Sequence, residues 1–398
     1  MASLPPLHAL LRDMVAIPSV NPTGDPGTPH VNEQKMAEFL LGWTERHGAE
    51  AALMPVLPDR PNLVARWRPK GLKPGQRPRH RIWFAPHTDT VSVAGMTVAP
   101  FDPVISKGRQ PRLYGRGASD TKGPMAAMLH AIAAWWKAGG KNGDVEILFV
   151  GLMGEEAGNE GAKALVAHPI PAAERPDLVI VGEPTGLRVV TAHKGALWLT
   201  LTAAGKACHA STPERGRNAI DLMAPALVAI RKQLIPALRA EKYRHPLLGL
   251  PTLNIGTIRG GSKVNIVPDA CVVEVDCRTT PALSHPAVLA LAKRIVKAAA
   301  PGVRVEKLRG CPGLATDPAQ PLITALRQAS AAVTGGKPKP PGGVPWFCDA
   351  AIFDGAGLPA VAFGPGTIAQ AHTRDEYIAL RDLDAGAAAL LRYLTDLL

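Results

Sequence analysis

The feature that most constrains the fold is a set of short, largely apolar runs. The longest covers residues 144–153 (DVEILFVGLM), and shorter runs cover residues 81–84, 177–181 and 358–363. A strand that is apolar at every position must be covered on both faces, which is typical of a parallel sheet between layers of helices. The apolar segment 125–139 has the length and composition of a buried helix between two such strands. The pattern predicts an α/β domain whose mixed, mostly parallel sheet is sandwiched by helices.

The segment 194–310 has a different periodicity. Leu197, Leu199 and Leu201 alternate with less apolar neighbours, which is the period of a half-buried strand. Strand and helix patterns then follow in the order β-α-β-β-α-β, the order of a ferredoxin-like split unit. We therefore expect an α+β domain at 194–310, inserted into a larger α/β domain formed by 1–193 and 311–398.

Composition and net charge leave several classes of binding partner open. The chain has 398 residues, 46% of them hydrophobic, and a formal net charge of +12, which would suit nucleic acid, a membrane surface or an anionic substrate. The densest basic stretch, residues 66–81, is rich in Pro and Gly and is interpreted as a solvated loop. Neither GxGxxG nor GxxxxGK[ST] follows a strand pattern, and no segment approaches the roughly 18 apolar residues of a membrane helix. We expect neither nucleic acid nor a membrane as partner.

Cysteine usage and the N-terminal segment bear on the compartment. The five cysteines are dispersed and form no CxxC pair, which argues against a disulfide framework and favours a reducing compartment. The N-terminal segment MASLPPLHALLRDMVAI lacks the basic and continuous apolar regions of a secretory signal. A cytoplasmic protein is expected.

Ionisable residues follow each apolar run of the first domain. Because ligands of open α/β sheets bind at the carboxyl ends of the strands, these side chains should meet at one edge. A Gly-rich loop (YGRGASDTKGP) that precedes the buried helix adds one more carboxylate. The residues are His87, Asp89, Asp120, Glu155, Glu156, Glu183 and His372.

Each of these residues also has an ordinary structural explanation. Asp120 could cap the helix that follows it, Glu183 could belong to a turn before a proline, and Glu155 with Glu156 could form a solvated loop. Together they are harder to explain in this way, because several carboxylates at one edge repel each other unless a cation compensates. Two histidines and several carboxylates are a ligand set that zinc accepts, with a position left open for catalysis.

Seven segments, in order from about residue 19 to the C-terminus, resemble one enzyme family. It comprises acetylornithine deacetylase, succinyl-diaminopimelate desuccinylase and glutamate carboxypeptidase, which are di-zinc metallohydrolases. The segments are PHTDTV, YGRGASDTKGPMAAML, GLMGEEAGNEGA, VGEPT, HKG, CHASTPERGRNAI and FGPG…AH. The resemblance implies the same architecture as the periodicity, a catalytic α/β domain with a ferredoxin-like lid and dimerisation domain.

The resemblance implies a role for each candidate ligand. His87 and Glu183 match the ligands of one zinc ion, Glu156 and His372 match those of the second, and Asp120 matches the carboxylate shared by both. Co²⁺ or Mn²⁺ are expected substitutes for Zn²⁺.

Further residues would act on the substrate or its reaction. Glu155 matches the general base, and Asp89 matches a carboxylate that orients a metal-bound histidine. His209 resembles a histidine that reaches the active site of the other subunit in a homodimer. Two more residues, Arg278 and Asn265, match substrate-binding positions. The turn that begins at Gly364 is expected to offer backbone N–H groups to the same substrate carboxylate.

The expected activity is zinc-dependent hydrolysis of an amide bond in a small, carboxylate-bearing substrate, with N-deacylation of an N-acyl amino acid preferred. A dipeptidase or carboxypeptidase with the same metal site is the alternative, since only the substrate pocket would differ. A non-catalytic binding protein on the same fold is a further alternative, which the complete ligand set and Glu155 argue against.

Overall fold

The computed structural model describes residues 5–73 and 76–398, which form two compact units. The first unit comprises the described residues up to Thr191 together with Thr316–Gly342 and Cys348–Leu398. The second comprises Ala192–Ala315 and Gly343–Phe347.

Strands and helices alternate through much of the chain. The strands are β1 Glu50–Leu57, β2 Arg60–Trp67, β3 His80–Phe84, β4 Val104–Ile105, β5 Arg112–Tyr114, β6 Val145–Gly151, β7 Leu178–Gly182, β8 Val190–His193, β9 Gly195–Ala204, β10 Thr252–Gly260, β11 Ala270–Thr279, β12 Val303–Cys311, β13 Leu314–Ala315, β14 Gly342–Val344, β15 Ala360–Phe363 and β16 Tyr377–Ala379. The α-helices are α1 Pro6–Val15, α2 Glu33–Arg46, α3 Lys122–Ala138, α4 Glu160–Leu165, α5 Ala219–Ala229, α6 Ile235–Leu238, α7 His285–Ala299, α8 Pro321–Thr334, α9 Ala350–Gly355 and α10 Leu380–Asp396.

The sheet of the first unit is mixed, with the strand order β1-β2-β6-β3-β7-β15-β8. Parallel pairing is confined to the four central strands β6, β3, β7 and β15, and the flanking strands pair antiparallel. In this register Phe84 of β3 lies between Phe149 of β6 and Ile180 of β7. The carboxyl ends of the four central strands therefore lie at one edge of the sheet, as the sequence pattern predicts.

The core of the first unit lies between this sheet and the helices α1, α2, α3, α8 and α10. Every residue of β6, β7 and β15 is buried, which is why these strands carry no polar alternation. Each large apolar side chain buried in this way contributes roughly 1.5–3 kcal/mol.

The second unit is built on a four-stranded antiparallel sheet with the order β10-β11-β9-β12. With its helices between the first and second strands and between the third and fourth, this is the ferredoxin-like arrangement that the sequence order predicts. Met223, Ile230, Val288 and Ile295 from the helices lie in one core with the buried face of the sheet. A π-helical turn at Ile230–Leu234 joins α5 to α6.

None of the helices within residues 5–73 and 76–398 combines the length and apolar character that crossing a membrane requires.

Candidate metal centre

The candidate site lies where β3, β6, β7 and β15 end. Residues 87 and 89 follow β3, residues 155 and 156 follow β6, residue 183 follows β7 directly, and residue 372 follows β15. Asp120 lies two residues before the start of α3. All these side chains belong to the first unit, and the sheet topology brings them to one edge.

His87 is buried and has a different partner at each ring nitrogen. Its Nδ1 lies 2.9 Å from the backbone oxygen of Asp89 and 3.4 Å from the Asp89 carboxylate. Its Nε2 lies 3.1 Å from Oδ1 of Asp120. A proton on Nδ1 that is donated to the Asp89 carbonyl leaves the Nε2 lone pair directed at the carboxylate cluster, as a metal-binding imidazole requires.

Asp120 connects the two histidines. Its Oδ1 faces His87, and its Oδ2 lies 3.3 Å from Nε2 of His372. The same His372 nitrogen lies 3.3 Å from Oε1 of Glu156. His372 has a left-handed backbone conformation with φ of 59° and remains half exposed, so this edge of the cluster is open.

Three groups of side chains each bring their potential ligand atoms within 4.8 Å of one another. Asp120 belongs to two of them, one with His87 and Glu183 and the other with Glu156 and His372. The third group consists of His87, Glu155 and Glu156. The nitrogen and carboxylate donors suit borderline divalent cations such as zinc, and the shared carboxylate suits two cations side by side.

Asp89 is fully buried and fixes the glutamate pair as well as His87. Its carboxylate accepts hydrogen bonds from the backbone N–H groups of Glu155 and Glu156, both at 3.0 Å. It also accepts one from Nδ2 of Asn21 at 2.7 Å. Asn21 was not predicted from the sequence, because no local pattern connects it to residues about 70 positions away.

The electrostatics of the edge are dominated by buried negative charge. Burial, together with neighbouring carboxylates, raises the pKa of both Glu155 and Glu183 well above the ordinary value. Hydrogen bonds to Asp120 and Glu156 raise the pKa of His372 to about 10. In the described part of the chain, no lysine or arginine forms an ion pair with the four carboxylates of the three groups. The edge therefore has a deficit of positive charge, which a bound cation would remove.

Asp349, which the sequence did not single out, is a further buried acid near Glu155. Its Oδ1 accepts a hydrogen bond from Nδ2 of Asn159 at 2.9 Å, and the same amide lies 3.5 Å from Oε1 of Glu155. Burial raises the pKa of Asp349 to about 7. Asn159 thus bridges Asp349 and the candidate general base.

The predicted catalytic and substrate-binding residues of the second unit, which are His209, Asn265 and Arg278, have partners of their own. His209 lies in an exposed loop, where its Nδ1 is 2.7 Å from Oγ of Ser211. The neighbouring loop carries Asn265, whose backbone oxygen accepts a hydrogen bond from the next residue after His209. Arg278 donates two hydrogen bonds to one oxygen of Asp276, at 3.0 and 2.9 Å. A substrate carboxylate bound by Arg278 would share the guanidinium with Asp276.

Gly364, the remaining predicted substrate contact, directly follows β15. Its N–H group donates to Oγ1 of Thr185 at 3.2 Å, and its carbonyl accepts from the N–H group of Leu187. The backbone donor that was expected to bind substrate is therefore already engaged within the first unit.

Residues 83–396 match the profile of Peptidase family M20/M25/M40. The chain belongs to this family. It is 30% identical to acetylornithine deacetylases from Photorhabdus laumondii and Klebsiella pneumoniae, with 94% and 95% of this chain and 93% and 94% of those proteins covered. Membership confirms the predicted family and the prediction that the chain is a hydrolase of amide or peptide bonds.

Solved structures of the M20 family have the same fold. An M20 metallo-carboxypeptidase from Sulfolobus solfataricus superposes with a TM-score of 0.80 at 20% identity, covering 98% of this chain and 99% of that chain. Human carnosine dipeptidase 1 gives a TM-score of 0.76 at 17% identity, with 98% and 95% covered. These likenesses confirm the predicted α/β fold class.

Proposed function

We propose that this M20-family hydrolase binds two divalent cations, most simply Zn²⁺, and uses them to remove the acyl group of an N-acyl amino acid. The observation that supports this best is the placement of Asp120. One of its oxygens faces His87 and the other faces His372, so a single carboxylate belongs to both ligand groups.

The ligand assignment follows from the three groups of side chains. His87 and Glu183 would complete the first cation site, and Glu156 and His372 the second, with Asp120 shared. A dinuclear metal-binding peptidase of the M20 family from Bacillus subtilis has the same fold, with a TM-score of 0.66. Co²⁺ or Mn²⁺ would be accepted by the same nitrogen and oxygen donors.

When bound, divalent cations in such a site polarise a carbonyl oxygen and make water a better nucleophile at neutral pH. Of the adjacent residues Glu155 and Glu156, we assign only Glu156 as a metal ligand, so Glu155 can act as the general base. It removes a proton from the attacking water and delivers it to the nitrogen of the leaving amine. Asp89 holds Glu155 in place through the backbone N–H group of that residue, and Asn159 contacts its carboxylate.

The preference for deacylation rests on the acetylornithine deacetylases that are 30% identical over almost the whole chain. Dipeptidase activity with the same centre is the second candidate, favoured by the fold shared with carnosine dipeptidase 1. We assign recognition of the substrate carboxylate to Arg278 and Asn265, with Gly364 as a weaker candidate because its N–H group is engaged.

The decisive experiment is a substrate panel on protein that has been stripped of metal and reloaded with Zn²⁺, Co²⁺ or Mn²⁺. The panel contains N-acetyl and N-succinyl amino acids, with N-acetylornithine among them, and dipeptides. We expect two cations per chain and the highest kcat/KM for an N-acyl amino acid. Faster cleavage of dipeptides would replace deacylase with dipeptidase, and folded protein that neither binds cations nor hydrolyses any member of the panel would overturn the proposal.

A homodimer through the second unit is part of the proposal. β10 lies at the edge of the four-stranded sheet, and within residues 5–73 and 76–398 no strand pairs with its outer side. The side chain of Ile258 on this strand is exposed. An exposed edge strand is suited to pairing with the same strand of a second copy.

The dimer proposal predicts complementation if His209 serves the active site of the other subunit. His209→Ala and Glu155→Gln proteins would each be inactive as homodimers. Mixing them after mild dissociation would create one site with both Glu155 and His209 intact, so activity should return. Failure of mixed, verified dimers to regain activity would exclude the role of His209 across the dimer.

The compartment is proposed from cysteine chemistry. Cys208, Cys271 and Cys277 are free thiols, as expected for a protein of the reducing cytoplasm.

A further inference from the structure

Glu376 and Arg116 form a buried ion pair that belongs to none of the three ligand groups. Nη1 of Arg116 lies 2.8 Å from Oε2 of Glu376, and both side chains are almost completely buried. Neither residue stood out in the sequence, and the proposed reaction makes no direct use of either.

The carboxylate of Glu376 accepts hydrogen bonds from four donors in one loop. Its Oε2 accepts the N–H group of Gly117 at 3.0 Å in addition to Arg116. Its Oε1 accepts the N–H groups of Ser119 at 2.9 Å and Asp120 at 3.0 Å. Four donors leave this carboxylate little capacity for a cation or a substrate. Its direct partners are the backbone of Asp120 and the residues just before it.

The curvature of this loop depends on Gly117. Its φ of +85° lies in the region that favours glycine, and a Cβ atom there would lie 3.0 Å from side-chain atoms of both Lys122 and Thr90. Backbone N–H groups that converge in such a turn form a concave site for an anion. Here the anion is a side chain of the protein itself.

The ion pair also joins two further segments that carry site residues. Glu376 follows His372 by four positions, so one short segment supplies both residues. Arg116 donates to the backbone oxygen of Ser92 through Nε at 3.2 Å and Nη2 at 2.9 Å, three residues after Asp89. The segments that carry Asp89, Asp120 and His372 therefore meet at one buried ion pair.

We propose that Glu376 and Arg116 are positioning residues that hold Asp120 and His372 at the separation needed to share cations, an inference that rests on the proposed function. Loss of the Glu376 carboxylate would leave three backbone N–H groups and a guanidinium facing a neutral amide. The loop would then relax, and the two oxygens of Asp120 would lose their fixed directions toward His87 and His372. Residues that orient metal ligands typically contribute about 10–100-fold to metal affinity.

Glu146 provides a matched control for Glu376. It is equally buried and also pairs with arginine, accepting from Nε of Arg81 at 2.6 Å and Nη1 of Arg68 at 2.7 Å. It lies near the start of β6, whereas Glu155 and Glu156 follow the end of that strand. Glu146→Gln and Glu376→Gln therefore remove the same charge from comparable ion pairs, only one of which touches the site.

The experiment compares wild-type, Glu376→Gln and Glu146→Gln proteins. It measures Zn²⁺ affinity by competition with a chelator, the visible absorption spectrum of the Co²⁺-loaded proteins, and the midpoint of thermal unfolding without metal. We expect both variants to unfold at lower temperature. Only Glu376→Gln should bind Zn²⁺ about 10–100-fold more weakly and show an altered Co²⁺ spectrum.

A second pair of variants applies if Glu376→Gln does not fold. Arg116→Lys keeps the positive charge but lacks the planar group that reaches Ser92 and Glu376 together, and Arg81→Lys is its control. The positioning role would be overturned if the variant has the Zn²⁺ affinity and the Co²⁺ spectrum of the wild type while the wild type binds two cations. The variant is Glu376→Gln, or Arg116→Lys where Glu376→Gln does not fold. Wild-type protein that binds no cation would instead overturn the proposed function and this inference with it.

Discussion

The first unit contains two groups of buried acids that differ in what balances their charge. Glu33, Glu146 and Glu376 each pair with a buried or partly buried arginine. The acids at the edge of the sheet contact histidines, backbone N–H groups and one another, and no arginine or lysine of the described residues pairs with them. We call these acids the unpaired group, which consists of Asp89, Asp120, Glu155, Glu156 and Glu183. The acids with an arginine partner are the paired group.

The difference indicates what each group is for. A buried carboxylate with a permanent cation partner stabilises one arrangement of the chain, and removing one partner leaves a costly unpaired charge. Carboxylates without such a partner are costly in the protein alone and become favourable when a mobile cation binds. Glu33 is intermediate, because burial and the nearby Asp89 raise its pKa to about 7 in spite of Arg60.

The largest expected effect tests whether Glu155 has a different role from the other acids of the unpaired group. Glu155→Gln should lower kcat by about 10²–10⁴-fold, because proton transfer to and from the reacting atoms is lost. The cation content should stay at the wild-type value, since Glu155 is not assigned to the metal. Steady-state kinetics and metal analysis on the same preparation measure both. A variant of near-normal activity, or one without cations, would contradict the assignment.

The next effect tests the paired group. Glu146→Gln should lower the free energy of unfolding by about 3–5 kcal/mol, because Arg81 remains buried without its carboxylate. The loss should be equal with and without cations, as measured by denaturant unfolding. Asp396→Asn in the exposed pair with Arg392 is the control and should change the free energy of unfolding far less, because water screens an exposed pair. A comparably small loss in Glu146→Gln would remove the contrast between the groups.

Removal of cations should affect only the unpaired group. Chelation should lower the unfolding free energy by about 3–4 kcal/mol for each cation lost, relative to protein in cation at roughly 100–1,000 times its dissociation constant. Thermal unfolding with and without chelator measures the change. Asp120→Asn protein, which lacks the shared ligand, should respond much less. An unfolding midpoint that does not depend on cation in wild type would argue against a cation at this edge.

The smallest effect has a sign that distinguishes the groups most sharply. Glu183→Gln should stabilise the cation-free protein slightly, because it removes one of several mutually repelling buried acids whose charged form burial disfavours. With cations present the same substitution should destabilise, because a ligand is lost. Denaturant unfolding of the cation-free and the cation-bound protein measures both changes in the free energy of unfolding. Destabilisation of both forms would place Glu183 in the paired group.

Several features of the structure could be predicted from the sequence because they follow from local rules. The largely apolar β6 requires a strand buried on both faces, and the order of strands and helices in residues 194–310 requires a ferredoxin-like sheet. The strand-end rule places His87, Glu156 and Glu183 at one edge. The resemblance to known hydrolases assigns their roles but not their distances.

Other features could not be predicted because they join distant segments without a local pattern. Glu376 accepts the N–H group of Asp120 across 256 positions of the chain. Asp349 reaches Asn159 across 190 positions. The pairing of Arg278 with Asp276 is local, but an alternating strand gives no sign of which charged neighbours will touch.

The sequence by itself determined that this chain forms one α/β unit and one α+β unit and that acids and histidines gather where the central strands end, because periodicity and chain order act over short distances. Only the tertiary structure decided which of those acids have a permanent partner. That outcome depends on which arginine is folded against which carboxylate. It therefore separates the acids that hold the protein together from those that we propose to bind a cation.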